Sequence, residues 1–207
     1  MIKDNSIEKR KIMVSADKLF REAGLYKTSM DELAALMHIS KKTIYKYFPS
    51  KENLVREILK YWLVTSTERV DKIVRSKTDV VTKFLRLLED YSCEFSQMSE
   101  KSITDLQIHY PDVWSSIESF REEKIIFYVK KLFRQGYKEK YITKIPVEIV
   151  IASVSASISS VVNPKFLMEN NFSTAEALKH VLELHLKGII TEKGRKKYFS
   201  QQKKYLK

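Results

Sequence analysis

The pattern of apolar and polar positions has a helical period along the chain. Between residues 6 and 23 the apolar side chains fall on one stripe, and Gly24 follows as a left-handed stop. Between residues 80 and 98 apolar positions recur at intervals of three and four over about five turns. The four glycines and four prolines stand near the ends of helical segments, so Gly136 is expected to stop one helix and the Asn163-Pro164 pair to break another. The pattern therefore predicts an all-α protein.

Short helical segments follow one another closely near the N-terminus. Ser29 and Glu32 have the spacing of a capping box for a helix over residues 30–37. After a turn, Ser40 is placed to cap a third helix, and a fourth starts at Lys51. This order predicts a helix-turn-helix unit, which typically inserts its second short helix into a DNA groove.

The third helix has two contrasting faces. At about 100° per residue, Ile44 and Phe48 lie about 40° apart and predict a buried side. The other side would meet base edges and phosphates in a major groove about 12 Å wide. The residues on that side and its flanks are Lys42, Thr43, Lys46, Tyr45 and Tyr47. A lysine there can donate to guanine, although an ordinary solvated lysine is the alternative.

The stretch from residue 16 to residue 58 resembles the DNA-binding domain of TetR-family transcriptional regulators. The residues that carry this resemblance are Ala16, Leu19, Phe20, Gly24, Thr28, the run Ile44–Phe48 and the run Lys51–Leu54. Agreement in order, spacing and residue type over about 45 positions is a specific signal. The resemblance implies an N-terminal three-helix helix-turn-helix domain followed by a C-terminal helical bundle for ligand binding and dimerisation.

The resemblance also implies roles for individual residues. Thr28 and Lys51 resemble phosphate anchors at helix starts, and Tyr45 and Tyr47 match residues that touch sugar-phosphate and thymine methyl groups. Ser40 is expected to act as a cap first and a contact second. The predicted DNA-binding residues are Thr28, Ser29, Ser40, Lys41, Lys42, Thr43, Tyr45, Lys46, Tyr47 and Lys51.

We predict four regions along the chain. Residues 1–50 form the helix-turn-helix domain, and a linking helix spans 51–75. Residues 76–191 form the ligand-binding and dimerisation domain, and residues 192–207 form a basic tail. The tail is expected to be a frayed, solvated end, with non-specific attraction to DNA or anionic lipid as the alternatives.

The net charge of +12 is concentrated at the two ends of the chain. Residues 1–60 hold 13 Lys/Arg against 8 Asp/Glu, and residues 191–207 hold 7 against 1, whereas the middle of the chain is nearly neutral with 18 against 17. A basic end on a neutral body is typical of a protein that binds a polyanion with one face.

The segment 146–163 has branched apolar residues on one side and small residues on the other, with no charge after Glu148. Such a helix is buried either inside the chain or at a subunit interface. In the TetR family the last two helices form a four-helix dimer bundle, so the resemblance places an interface here and on 174–188. The predicted interface residues are Val150, Val154, Ile158, Val161, Leu178, Val181, Leu182 and His185. Two chains related by a two-fold axis would read a palindromic operator.

The resemblance further implies a pocket for a small-molecule effector among the middle helices. Aromatic and soft side chains suit such a pocket, although each is also an ordinary core residue. The candidate lining residues are Phe84, Tyr91, Phe95, Met98, Tyr110, Trp114, Phe127 and Tyr128. Nothing in the sequence identifies the effector.

Other classes of function fit the sequence poorly. The chain has no Gly-rich phosphate loop, and its four histidines lack metal-ligand spacing, so we predict no catalytic site, metal or cofactor. A single cysteine and the absence of a long apolar run favour the cytoplasm and no membrane partner. We predict a homodimeric, ligand-responsive repressor that binds double-stranded DNA. The alternative is a basic helical module that binds anionic surfaces without operator recognition.

Overall fold

The fold consists of α-helices in the part of the chain that the structure describes. The computed structural model describes residues 2–96 and 100–205. The helices are α1 (Ile2–Ala23), α2 (Met30–Met37), α3 (Lys41–Tyr47), α4 (Lys51–Arg75), α5 (Val80–Ser96), α6 (Glu100–His109), α7 (Pro111–Glu139), α8 (Val147–Val161), α9 (Pro164–Asn170), α10 (Thr174–Ile189) and α11 (Glu192–Tyr205). The prediction of an all-α protein is confirmed.

Local capping signals set the bounds of the first helices. Gly24 follows α1 with a φ of 92°. The Ser29 hydroxyl accepts the Glu32 N–H at 3.1 Å, and the Ser29 N–H donates to the Glu32 carboxylate at 2.6 Å. His38 ends α2 in the left-handed conformation with a φ of 54°, and Ser40 caps α3. The predicted capping box and the predicted cap at Ser40 are confirmed.

Contacts divide the chain into two compact units. The first unit contains the described residues of 1–66 and 98–120, and the second contains those of 67–97 and 121–207. Helix α6 and the start of α7 therefore share a unit with the helix-turn-helix. The buried core of the first unit comprises Ile12, Ala16, Phe20, Leu25, Met30, Leu33, Ala34, Ile44, Phe48, Leu54, Val55, Ile58 and Leu106.

The second unit is organised around α5 and α10. Helix α5 packs against α10 and α11, and α10 also packs against α8. Lys83 is buried in this unit, and its ammonium donates to the Val74 carbonyl and to the Gln135 side-chain oxygen at 2.7 Å each. Burial lowers the pKa of Lys83. The two acceptors offset part of the cost of burying its charge.

Gly136 does not end α7, and the expectation that it would is wrong. The helix continues to Glu139, and the left-handed residue that follows is Lys140 with a φ of 59°. A Cβ at Gly136 would collide with the Ile142 side chain. Glycine is needed here because Ile142 packs closely on the helix, not because the helix stops.

Helix α9 was not predicted from the sequence pattern. The Asn163 side chain accepts the Phe166 N–H at 2.9 Å and caps the helix. Pro164 occupies the first helical position, where its missing N–H costs nothing. The Asn163-Pro164 pair, expected only to break a helix, therefore also begins one.

Residues 192–205 form α11, so the expectation of a frayed basic tail is wrong. Tyr198 is fully buried in the core of the second unit. Gly194, one turn earlier on the same face, lies against the Tyr141 backbone carbonyl. Lys197 pairs with Asp79 at 3.3 Å. The composition of this segment predicts a solvated end because its charged residues outnumber the two residues, Gly194 and Tyr198, that pack against the core.

Alanine substitutions at two glycines test the packing of α11. A Cβ at Gly194 would meet the Tyr141 oxygen at 2.5 Å, whereas a Cβ at Gly188 meets nothing within 4 Å. We expect Gly194→Ala to lower the free energy of unfolding by about 1 to 3 kcal/mol through overpacking. We expect Gly188→Ala to raise it by about 0.5 to 1 kcal/mol, because alanine loses less entropy in a helix. Urea unfolding measures both, and effects of the same sign would contradict the packing described.

Candidate nucleic-acid interface

Helix α3 is anchored by two side chains of the first unit's core. Ile44 and Phe48 are fully buried, as the sequence predicted. The Lys9 ammonium lies 5.4 Å from the centre of the Phe48 ring and pairs with Glu57 at 2.7 Å, so α1 and α4 enclose that ring. This anchoring fixes which side of α3 faces outward.

The outward side of α3 presents cations and a phenol. Lys42 and Lys46 are exposed, and Tyr45 exposes 40% of its surface. The Lys46 ammonium lies 5.3 Å from the Tyr47 ring centre. Among the described side chains, Lys42 forms no ion pair. These groups are therefore available to phosphates and base edges.

Hydroxyl groups at the start of α3 are used locally. The Thr43 N–H donates to the Ser40 hydroxyl at 3.0 Å, and the two hydroxyls are 2.8 Å apart. Ser40 is exposed and Thr43 is half-buried. Ser40 thus acts as a cap, as expected, and both residues lie at the end of α3 where N–H groups attract anions.

Lys41 links α3 to α2. Its ammonium bonds the Asp31 carboxylate at 2.7 Å, and this hydrogen bond raises the pKa of Lys41. Both side chains are exposed. The pair neutralises part of the positive charge that the sequence alone assigns to α3.

Tyr47 links α3 to α1 through its hydroxyl group. That group donates to the Glu8 carboxylate, and the ring is half-buried. The hydroxyl was predicted to touch the DNA backbone, yet here it has an internal acceptor. Tyr47 therefore holds the orientation of α3 in addition to any contact that its ring edge makes.

Thr28, a predicted phosphate anchor, faces the inside of the first unit in this structure. It exposes only 2% of its surface, and its hydroxyl donates to the Gly24 carbonyl at 2.8 Å. The neighbouring Ser29 is exposed and caps α2, so its backbone stands at a helix start. The Ser29 backbone hydrogen bond lowers the pKa of Glu32, which keeps the capping carboxylate ionised.

Lys51 is also committed to an internal contact. Its ammonium donates to the Tyr26 carbonyl at 3.0 Å and lies 6.0 Å from the centre of the Phe20 ring. Burial lowers its pKa, and the nearby charges of Asp105 and Glu32 raise it. The phosphate contact at Lys51 stays a prediction. In this structure the Lys51 ammonium instead holds the Tyr26 carbonyl.

Three residues next to the helix-turn-helix carry no signal in the sequence. The Tyr26 ring stacks on His109 of α6 with centres 3.7 Å apart and planes 14° apart. The Tyr26 N–H donates to Asp105 of α6 at 2.8 Å. Because 79 residues separate the partners of that bond, no periodic or capping pattern could have signalled it.

The residues predicted to line an effector pocket fall into different environments. Tyr128 is buried in the second unit's core with Phe84 packed against it, and the Tyr128 hydroxyl lies 3.3 Å from Asp71. Phe127 exposes 58% of its surface. Tyr110 and Trp114 pack against the first unit's core. The side chains of Tyr91 and Phe95, together with Met98, lie outside the described residues.

The residues predicted for a subunit interface are also divided. Val150, Leu178 and Val181 are already buried within the chain, so they offer little surface to a partner. Val154, Ile158, Val161, Leu182 and His185 are half-buried. Beside them, Leu184 of α10 exposes 71% of its surface and was not predicted.

Two other properties concern the described residues alone. No group of three or more His, Cys, Asp or Glu side chains among them could hold a metal ion. None of their helices is both long enough and apolar enough to cross a membrane.

Known proteins are similar to this chain in sequence and fold. A family profile described as "Bacterial regulatory proteins, tetR family" matches residues 12–58. The uncharacterized HTH-type transcriptional regulator YvaF of Bacillus subtilis (strain 168) is 22% identical over 184 residues, 88% of this chain and 96% of that protein. A transcriptional regulator from Cytophaga hutchinsonii ATCC 33406 is 26% identical, with a TM-score of 0.71 over 88% of this chain and 98% of that chain.

A further solved structure shares the fold. It is a transcriptional regulator from Saccharomonospora viridis in complex with choline, 16% identical, with a TM-score of 0.67 over 90% of this chain and 100% of that chain. The family profile begins in α1 and ends in α4, so the matched region includes the caps of α2 and α3 and the buried anchors of α3. The structural similarities extend over most of the chain. Residues 12–58 therefore resemble the helix-turn-helix domain of TetR-family regulators, and the chain has the all-helical fold of solved transcriptional regulators.

Proposed function

We propose that the protein is a homodimeric repressor that binds a palindromic operator and responds to a small-molecule effector in the bacterial cytoplasm, where DNA is accessible. The observation that carries the proposal is the outward side of α3. Its buried anchors Ile44 and Phe48 leave Lys42, Tyr45 and Lys46 facing solvent on a short, capped helix. Such a helix fits a major groove, with its cations near base edges and phosphates.

A charge-free surface on α8 supports dimerisation. In α8 no charged residue follows Glu148, and Ala152, Ser153 and Ala156 are exposed. The adjacent helix α10 adds the exposed Leu184. A surface depleted of charge and rich in small and apolar groups is typical of the centre of a subunit interface.

The hydrogen bonds of His185 tie α8 to α10 next to this surface. Its Nε2 lies 3.1 Å from the Ser153 hydroxyl, and its Nδ1 lies 2.9 Å from the Val181 carbonyl. The pair of helices can therefore dock as one rigid element. Dimeric helix-turn-helix proteins read two half-sites about 34 to 36 Å apart, which is the spacing expected of the operator.

Effector binding is proposed for the second unit. The solved regulator that carries choline shows that a protein of this fold can hold a small molecule. In this chain Phe84 and Tyr128 remain the described candidates for lining such a site. A coupling of about 1 to 3 kcal/mol would change operator affinity about 5- to 150-fold, so a small helix shift is sufficient.

Selection of protected fragments from genomic DNA tests the proposal. A gel shift that survives excess random DNA, with an inverted repeat in the protected fragment, is the expected result. Equal affinity for every fragment, or binding to anionic vesicles that matches binding to DNA, would instead favour the non-specific basic module. Adjacent genes in the protected fragments would then guide the choice of effectors.

Lys42→Ala tests base reading. We expect it to relax the preference at one base pair of each half-site by about 1 to 3 kcal/mol. Lys60→Ala is the matched control, because it removes an exposed cation from α4 without touching α3. Competition with single-base operator variants measures the preference. Equal losses on operator and random DNA for Lys42→Ala would refute a base contact.

A further inference from the structure

Three side chains hold Tyr26 in the turn between α1 and α2. Asp105 accepts its N–H at 2.8 Å, Lys51 donates to its carbonyl at 3.0 Å, and the His109 ring stacks on its ring at 3.7 Å. Two of these side chains come from α6 and one from the start of α4. We call this arrangement the Tyr26 clamp.

Opposite charges act on the two ends of the Tyr26 residue. The Asp105 carboxylate and the Lys51 ammonium also attract each other, which opposes the lowering of the Lys51 pKa by burial. Hydrogen bonds to charged groups are about twice as strong as neutral ones. The clamp therefore adds charged hydrogen bonds to a turn that the buried Leu25 and Thr28 also hold in place.

Helix α6 contacts the core of the helix-turn-helix through an apolar side chain. Leu106 of α6 is buried in the first unit's core, yet it lines a cavity of about 40 Å³ together with Phe20, Leu25 and Trp62. The polar clamp, formed by Asp105 next to Leu106 and by His109 three residues later, adds to this attachment of α6.

The clamp lies close to the elements that set the position of α3. Tyr26 stands three residues before Ser29, which caps α2. Helix α2 packs against α3 and is joined to it by the Asp31–Lys41 pair. Movement of the turn would shift the start of α2 and, through it, the outward side of α3.

We infer that Asp105 and Lys51 are positioning residues for DNA binding, and that Lys51 serves the Tyr26 clamp and not a phosphate. Any event that moves α6 then opens the clamp and weakens DNA binding. This regulation rests on the proposed function, because it presumes that the protein binds an operator and that α6 moves. It gives α6 a defined chemical connection to the DNA-binding helices.

Asp105→Ala and Asp105→Asn test the clamp in the full-length protein. Asp105→Ala should lower operator affinity about tenfold, speed hydrogen exchange of the Tyr26 amide, and leave the dependence of affinity on salt unchanged. Asp105→Asn keeps an oxygen acceptor and should restore most of the amide protection. Glu118→Ala is the matched control, because it removes an exposed carboxylate from α7 in the same unit.

Lys51→Ala separates the clamp from a phosphate contact. A residue of the clamp should lose affinity with an unchanged salt slope, and adding Asp105→Ala should cost little more. A phosphate anchor should instead flatten the salt slope by about one unit and leave the exchange of the Tyr26 amide unchanged. That second outcome would overturn the inference, as would an unchanged exchange rate in Asp105→Ala.

The exchange measurement needs no DNA, so it separates the two proposals. If the unmodified protein shows no operator preference, the proposed function fails. Accelerated exchange in Asp105→Ala would in that case still establish the clamp as a structural element, while its regulatory role would fall with the function.

Discussion

Phe48→Ala will lower the free energy of unfolding by about 3 to 5 kcal/mol and abolish operator binding. The ring is fully buried in the first unit and lies beneath the Lys9 ammonium, so its removal leaves a cavity and ends that contact. A typical domain is stable by only about 5 to 15 kcal/mol, so the loss is a large fraction of the total. Urea unfolding with a helical CD signal measures the stability, and a gel shift measures binding.

Tyr45→Ala is the matched control for Phe48→Ala. Tyr45 lies three residues earlier on α3 and exposes 40% of its surface, so its removal should change stability by no more than about 0.5 kcal/mol. Its loss should still weaken DNA binding, because the ring belongs to the outward side. Stability near that of the unmodified protein in Phe48→Ala would contradict the anchoring of α3.

Local patterns predicted the elements of the helix-turn-helix well. The capping box of Ser29 and Glu32, the cap at Ser40 and the buried pair on α3 depend on residues within one helical turn of each other. Interactions of that range are encoded in spacing and residue type alone. The resemblance to a known family pointed to the same elements.

The hydrogen-bond partners of individual polar side chains could not be predicted from such local patterns. The sequence predicts Lys51 as a phosphate anchor, but its ammonium donates to a carbonyl 25 residues away. The Tyr47 hydroxyl likewise donates to Glu8, which is 39 residues away. A lysine or phenol on a surface helix looks the same in sequence whether it faces DNA or its own fold. Only the packing of distant segments decides between them.

The packing role of two glycines could not be predicted from local sequence rules either. A local rule predicts Gly136 as a helix stop, whereas the side chain of Ile142, beyond the end of the helix, accounts for it. Gly194 lies in a segment whose charge suggested no packing at all, yet it rests on a backbone carbonyl. Close approach between segments leaves no periodic trace in the sequence, so such glycines become meaningful only in the folded chain.

Leu184→Glu will dissociate the proposed dimer and reduce operator affinity by more than about a hundredfold. In one chain this side chain exposes 71% of its surface on α10, beside the uncharged surface of α8. At a two-fold seam the substitution would bury two carboxylates near each other without partners, at a cost of about 3 to 5 kcal/mol. Operator binding falls further because two linked α3 helices act together at high effective concentration, and separated ones do not.

Phe199→Glu is the matched control for this variant. It makes a similar change from apolar to acidic on α11, where the ring exposes 59% of its surface. It should leave the oligomeric state and operator binding unchanged. Sedimentation over a range of concentrations gives the dimer dissociation constant, and a gel shift gives the operator affinity.

A Leu184→Glu protein that stays dimeric with full affinity would show that the subunits meet elsewhere, and the exposed leucine would then need another partner. Loss of the dimer with affinity retained would show instead that one α3 helix suffices for recognition, against the proposed palindrome.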